Sequence, residues 1–184
     1  MYPPFPTTPA EPDRPAGPGR APLPSSVAVR DRFRRQKTRD TAPELALRRE
    51  VHARGLRYRV DVAPLPGLRR SADLVFPRAQ IAVFVDGCFW HSCPRHATAP
   101  KANAQWWQHK LERTVQRDRE TDTALTSAGW AIVRVWEHEA PEQAAQRVLA
   151  AWAARRGPLT SDPSRVLPMD GNSDTADPPV PAGD

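Results

Sequence analysis

Twelve residues, Val85 to His96 (Val-Asp-Gly-Cys-Phe-Trp-His-Ser-Cys-Pro-Arg-His), hold both cysteines of the chain, two of its five histidines and two adjacent large aromatics. Thiolates and imidazoles at this spacing suit a structural zinc ion, which takes four tetrahedral N or S ligands. Cys88, Cys93 and His96 can wrap one ion from a single loop. His138, just past a later apolar run, is the candidate fourth ligand, and equally reads as an ordinary surface histidine. Free thiols and a Cys88–Cys93 disulfide are the other readings of the cysteines. His91 suits a metal ligand, a general base or a donor to phosphate, since an imidazole can activate water at neutral pH. Asp73 is the one carboxylate in an apolar run. A buried carboxylate is costly unless paired or bound to a cation, and an oxygen ligand there suits Mg²⁺. The alternative is an edge-strand Asp73 paired with Arg69 or Arg70. Glu44 reads either as a capping-box residue or as a glutamate facing a metal.

Phe89 and Trp90 share the loop, and Trp106 and Trp107 open the following helix. Apolar wedges of this kind unstack base steps in nucleic acid. Covering the metal loop and closing the core are the competing roles, and one of each pair is expected to serve them.

These residues need elements to hold them. Thr41-Ala42-Pro43-Glu44 reads as a helix start, with Thr41 as cap, and Gly55 as its stop. Tyr58, Val60 and Val62 alternate as in a half-buried strand. Leu65-Pro66-Gly67 marks a turn, residues 72–76 a second strand, and residues 81–85 a fully buried third. Residues 104–127 are helical by the spacing of Trp107, Leu111 and Val115, ending at Gly129. A fourth strand follows over 131–136. A closing helix runs from Pro141 to Arg156, with Val148, Leu149 and Trp152 on one side. The order α-β-β-β-α-β-α predicts a three-layer α/β domain with a mixed central sheet and a zinc-braced loop.

The chain has 184 residues and 22 prolines. Residues 1–27 and 158–184 lack periodic apolar positions and are expected to be disordered tails around one domain, 28–157. That domain carries 24 Lys and Arg against 14 Asp and Glu, while the tails carry 3 against 7. Such a basic domain suits an anionic partner, DNA or RNA; a solvated basic surface is the plainer reading. Residues 29–39 look like a basic lead-in. No membrane span or signal peptide is legible, so a cytoplasmic protein is expected, nucleoid-associated when bound to DNA.

The chain resembles the very short patch repair (Vsr) DNA mismatch endonucleases over roughly residues 30–155. The resemblance is carried by Thr38-Arg39-Asp40-Thr41 with Glu44, by Leu65-Pro66-Gly67 leading to Asp73, and by Gly87-Cys88-Phe89-Trp90-His91. It continues through Trp107 with Lys110, Val115-Gln116-Arg117-Asp118, and Gly129-Trp130 leading to Val135-Trp136-Glu137. It implies a restriction-endonuclease-like fold, in a monomer that nicks one strand of double-stranded DNA 5′ to the T of a T·G mismatch. Such mismatches arise from 5-methylcytosine, which implies a functional link to a cytosine-5 DNA methyltransferase and to repair proteins. By position, Asp73 would hold Mg²⁺, His91 would activate water and Glu44 would support the metal–water network. Phe89, Trp90 and Trp107 would form the wedge, and Cys88, Cys93, His96 and His138 would hold zinc. Arg39, Lys110, Arg113, Arg117 and the arginines of 30–39 and 48–59 would meet phosphates.

The chain departs from the family pattern in three ways. Cysteine and histidine are redistributed among the zinc positions. The turn before Asp73 is longer, with Ala72 in place of the usual proline. Val83 and Val85 stand where the wider nuclease superfamily has an acid and a lysine, which leaves a backbone carbonyl near Val85 as a further metal ligand and makes His91 more essential. Asp86 is an extra acid without an assigned role. The alternatives are an endonuclease of the same fold with a different DNA target, a zinc-braced DNA-binding protein without catalysis, and a hydrolase of RNA.

Overall fold

The computed structural model describes residues 19–156. Most of the two tails expected to be disordered, residues 1–18 and 157–184, lies outside the described residues. The elements are α1 (Val27–Arg35), α2 (Ala42–Ala53), β1 (Arg59–Val62), β2 (Ala72–Phe76), β3 (Ile81–Asp86), α3 (Ala104–Ser127), β4 (Ala131–Trp136) and α4 (Pro141–Arg156). The seven elements expected from periodicity are present. The eighth, α1, replaces the expected basic lead-in and starts inside the segment assigned to the tail. Ser26 caps it by accepting from the Val29 N–H at 3.2 Å. Four arginines and a single aromatic gave this helix no apolar stripe to read.

The strands form one sheet in the order β1-β2-β3-β4. The first three are antiparallel neighbours, and β4 runs parallel to β3, in register from Ile81 opposite Ala131 to Asp86 opposite Trp136. A parallel pair needs a long crossover, and α3 supplies it. Leu47 and Val51 of α2 and Ala144, Ala145 and Val148 of α4 pack with Leu74, Ile81, Val83 and Val135 in one core. Leu125 of α3 packs with Val75, Ala82, Phe84 and Trp130 in another. The result is a mixed α/β domain with a four-stranded mixed sheet. On α3 the buried residues are Thr114, Thr121 and Leu125, so the expected stripe of Trp107, Leu111 and Val115 lies half-buried beside the true inner face.

The two helices that end at glycine stop in the same way. Gly55 N–H donates to the His52 carbonyl and Leu56 N–H to that of Val51, at 3.0 and 3.3 Å. Gly129 and Trp130 repeat the pattern on Thr126 and Leu125, both at 2.9 Å. Both glycines have φ near the left-handed minimum, +85° and +80°, which only glycine adopts without strain. The second stop also delivers Trp130 onto Leu125 and launches β4.

No helix among the described residues is long and apolar enough to cross a membrane.

Replacing Gly129 by alanine places a Cβ in that left-handed position, and a loss of about 1 kcal/mol is expected. Thermal unfolding followed by circular dichroism checks it; an unchanged Tm would show that the turn does not need this conformation.

Candidate functional site

The parallel pairing ends with Asp86 beside Trp136, so two segments leave the sheet together. Glu137 N–H donates to the Asp86 carbonyl at 2.9 Å, and a Glu137 carboxylate oxygen accepts from the Cys88 N–H at 2.6 Å. Two further main-chain bonds, His91 to Gly87 and Cys93 to Cys88, coil the loop tightly.

This brings Cys88, Cys93, His96 and His138 together, with one donor atom of each within 4.8 Å of all the others. Cys88 Sγ lies 3.1 Å from His138 Nδ1 and 4.0 Å from His96 Nδ1; Cys93 Sγ lies 3.9 Å from both rings. Donors around a tetrahedral zinc stand about 3.3–3.8 Å apart, given its bond lengths. Three of these four sulfur–nitrogen pairs are too long to be good mutual hydrogen bonds, whereas all four converge as donors to one ion would. Burial pushes the Cys88 thiol up to about 12, with Cys93 and Glu137 adding to the effect. Burial acts against the Cys93 thiolate too, but main-chain N–H groups of Arg95 and His96 outweigh it and hold that thiol below its ordinary value. The two cysteines are not bridged.

The sequence left Asp86 unplaced and gave Asp118 no role; the structure brings both to His91. His91 Nδ1 lies 2.7 Å from Asp118 Oδ2 and 3.4 Å from Asp86 Oδ1. Burial lowers the basicity of the ring, but the hydrogen bond to Asp118 and the charges of both acids overcome it and raise the pKa above 6.5. With Nδ1 engaged, Nε2 is the ring atom left for a water or a phosphate.

Asp73 lies on β2, between β1 and β3, and not at an edge. Among the described residues it pairs with neither Arg69 nor Arg70, which removes the edge ion-pair reading. Its Oδ2 accepts from the Val85 N–H at 2.6 Å. Burial pushes its pKa up to about 6, the Val85 N–H opposes this, and the charges of Glu44 and Asp86 push further in the same direction. A carboxylate so placed binds either a proton or a cation. No group of three His, Cys, Asp or Glu side chains converges on Asp73 among the described residues. Val83 is buried in the core and Val85 half-buried.

Glu44 carries part of both expected roles. Its oxygens accept from the Asp40 N–H and the Thr41 hydroxyl, each at 2.9 Å, so Thr41 donates to the box and does not close it as a cap. Arg48 then pairs with Glu44 at 3.1 Å and also with Asp40. Arg48 is only 9% exposed, so it is not one of the phosphate-binding arginines expected over 48–59. Arg39 is exposed and pairs with Asp61 at 3.1 Å, and Lys110 lies half-buried on α3.

Phe89, Trp90 and Trp107 form one cluster, with centroids 5.1–6.0 Å apart. Trp106 meets Trp107 edge-on at 5.0 Å. The sequence missed a fifth member: Phe33 of α1 stacks on Trp107 at 5.5 Å and 21°. Beside them opens a cavity of about 660 Å³, lined in part by Phe33, Phe89, Trp107, Arg32 and Lys101. An arginine-rich helix bearing one aromatic was the available signal.

The family model for DNA mismatch endonuclease Vsr matches residues 28–96. The type II nicking enzyme V.NaeI of Lentzea aerocolonigenes is 40% identical over 133 residues, covering 71% of this chain and 80% of its own length. The type II nicking enzyme V.XorIIP of Xanthomonas oryzae pv. oryzae is 37% identical over 105 residues, 56% of this chain and 74% of its own. The DNA mismatch endonuclease Vsr of Escherichia coli K12 is 36% identical over 101 residues, 54% and 63% of the two chains. With the loop and its acids on the page, these likenesses define a DNA endonuclease, a hydrolase of phosphodiester bonds. The chain belongs to the Vsr family.

Replacing Arg48 by leucine leaves Glu44 buried without its counter-charge, and a loss of about 3–5 kcal/mol is expected. Urea unfolding measures it. A loss under about 1 kcal/mol, the range of an exposed pair, would show that the ion pair contributes no more than a surface contact.

Proposed function

We propose that the chain nicks one DNA strand 5′ to the T of a T·G mismatch, in very short patch mismatch repair. The observation that carries the reading is the 2.7 Å pairing of Asp118 on α3 with His91, which sits on the loop that also carries Phe89 and Trp90. A base, its orienting carboxylate and an unstacking wedge occupy one face of the domain. The likeness to the E. coli DNA mismatch endonuclease supports the mismatch target. The restriction-endonuclease-like fold is part of this proposal, supported by the mixed sheet between helices.

Asp118 accepts a hydrogen bond from Nδ1–H and holds the ring, so Nε2 can accept a proton from the attacking water. Asp73 would hold Mg²⁺, with a backbone carbonyl near Val85 as a further ligand. When bound, the ion supplies Lewis-acid stabilisation of charge on the phosphate oxygens and the leaving group. Glu44 adds negative charge beside Asp73, against the weaker opposing charge of Arg48, with which Glu44 is paired. Phe89, Trp90 and Trp107 enter the stack beside the mispair, where unstacking costs least. Exposed arginines of α1, Arg39, Lys110, Arg113 and Arg117 meet phosphates and make binding fall steeply with salt. Cys88, Cys93, His96 and His138 hold a structural zinc that keeps the loop coiled. The link to a cytosine-5 methyltransferase and the action in the cytoplasm on nucleoid DNA belong to the same proposal.

A second reading keeps the endonuclease and changes its DNA target; the more similar relatives are named as type II nicking enzymes and not as mismatch endonucleases.

Duplexes carrying one T·G mismatch in randomised flanks separate the readings. Magnesium-dependent nicking 5′ to the T is expected, with a loss of about a hundredfold or more in Asp73→Ala and His91→Ala. Cutting of matched duplex alone would keep the nuclease and remove the mismatch. At subsaturating Mg²⁺ the rate should rise with pH through about 6, because protons and cations compete for Asp73. It should keep rising past 6.5, because His91 must be neutral to act and its acids hold its pKa above that value. A flat profile from pH 5 to 8 would count against both roles.

One zinc per chain is expected by elemental analysis of the purified protein. Cys93→Ser should lose the ion and lower the Tm, and a metal-free protein with unchanged Tm in chelator would refute the structural zinc.

A further inference from the structure

Beyond His91 lies a set of charges, half-buried except for the buried Asp86, that the proposed chemistry does not use. Asp86 ends β3 and is 5% exposed. Arg134 of β4 grips it with one amino group, at 2.9 and 2.8 Å to its two oxygens. The Nε and second amino group of Arg134 bind Asp122 on α3 at 3.0–3.2 Å. That amino group also lies 3.5 Å from the Asp118 carbonyl and 3.7 Å from its carboxylate. The guanidinium carbon stands 4.8 Å from the Phe84 ring centroid.

Arg134 therefore faces both acids that flank His91, hydrogen-bonding Asp86 and standing 3.7 Å from the Asp118 carboxylate, while Asp122 is its third partner. Both approach the same ring nitrogen, Nδ1, which has a single hydrogen to give. Asp118 stands at 2.7 Å and Asp86, already engaged by Arg134 on both oxygens, at 3.4 Å, so Asp118 receives that hydrogen. We propose that Arg134 is a positioning residue for the hydrolysis: by holding Asp86 and Asp118 in place it fixes the tautomer and direction of His91.

Two observations separate this from the bland roles. Arg134 has its Nε and both amino groups engaged by Asp86, Asp122 and Asp118, which sets it apart from an arginine held ready for a DNA phosphate. A half-exposed ion network is also a weak source of stability, because solvent screens its charges. What the network adds is geometry: it ties β3, β4 and successive turns of α3 around one imidazole. A nearby base misplaced by about 1 Å loses on the order of a hundredfold in rate.

The inference rests on His91 acting as the base, and the test keeps the two apart. The full chain and its Arg134→Gln, Arg134→Lys, Asp122→Asn and His91→Ala variants are assayed on the T·G duplex with Mg²⁺. Arg134→Gln should lower kcat by about tenfold to a hundredfold and leave KM within about threefold, the signature of lost alignment. Arg134→Lys keeps the charge without the fork and should fall between. The ¹⁵N spectrum of the His91 ring should change from one tautomer, protonated at Nδ1, to a mixture. If Arg134→Gln does not fold, Asp122→Asn decides: it loosens Arg134 without touching His91 and should give a smaller fall in kcat with the same spectral change. Normal kcat in folded Arg134→Gln, a rise in KM alone, or an unchanged tautomer overturns the proposal. Nicking retained in His91→Ala overturns the base assignment instead.

Discussion

The pairing of β3 with β4 is the constraint on which the site depends. Its register places Asp86 opposite Trp136, so the Cys/His loop and the segment bearing Glu137 and His138 start from neighbouring points. Residues fifty positions apart, Cys88 and His138, come within 3.1 Å as a result. Because the strands are parallel, the chain must cross from the end of one to the start of the other. The 24-residue α3 makes that crossing. The same helix carries Trp107 near its start, into the aromatic cluster, and Asp118 midway, onto His91. The connection required by the sheet thus supplies the second half of the site.

Three acids near this end of the sheet show how burial is turned to different uses. Glu44 is met by Arg48 and by local donors, and it holds the start of α2 together. Asp86 is met by both oxygens on Arg134. Asp73 receives only the Val85 N–H and stands near the other two charges. Burial raises the pKa of Asp86 as well, but Asp73, which no arginine bonds among the described residues, rises to about 6. Perturbed groups of this kind concentrate where chemistry occurs. The charges that support the site are paired, and the one that could take a cation is not.

Much of the scaffold was legible because it is local. Gly55 and Gly129 announce helix ends, since the left-handed residue that closes each helix favours glycine. Strands over 72–76, 81–85 and 131–136 follow from apolar runs between turn residues, the second of them extended by Asp86 in the structure. The clustering of Cys88, Cys93, His96 and His138 followed from the loop spacing and from His138 standing at a strand end. The helix α1 was not legible, because its contacts are made by Phe33 with aromatics far along the chain and it buries no stripe of its own. Arg48 looked like one more basic surface residue, and only packing shows it sealed against Glu44 and Asp40.

The sequence by itself determined the order of seven of the eight elements, the ends of two helices, the loop that gathers Cys88, Cys93 and His96, and the carriers of the family resemblance. Each of these depends on residue type and short spacing, which the chain states directly. Tertiary structure alone decided that Asp118 orients His91, that Arg134 holds Asp86, and that Phe33 completes the aromatic cluster. Those partners lie on different elements, and no local rule links them. Their meeting depends on strand register and on the angle at which a helix crosses a sheet, quantities set by the packing of the whole core.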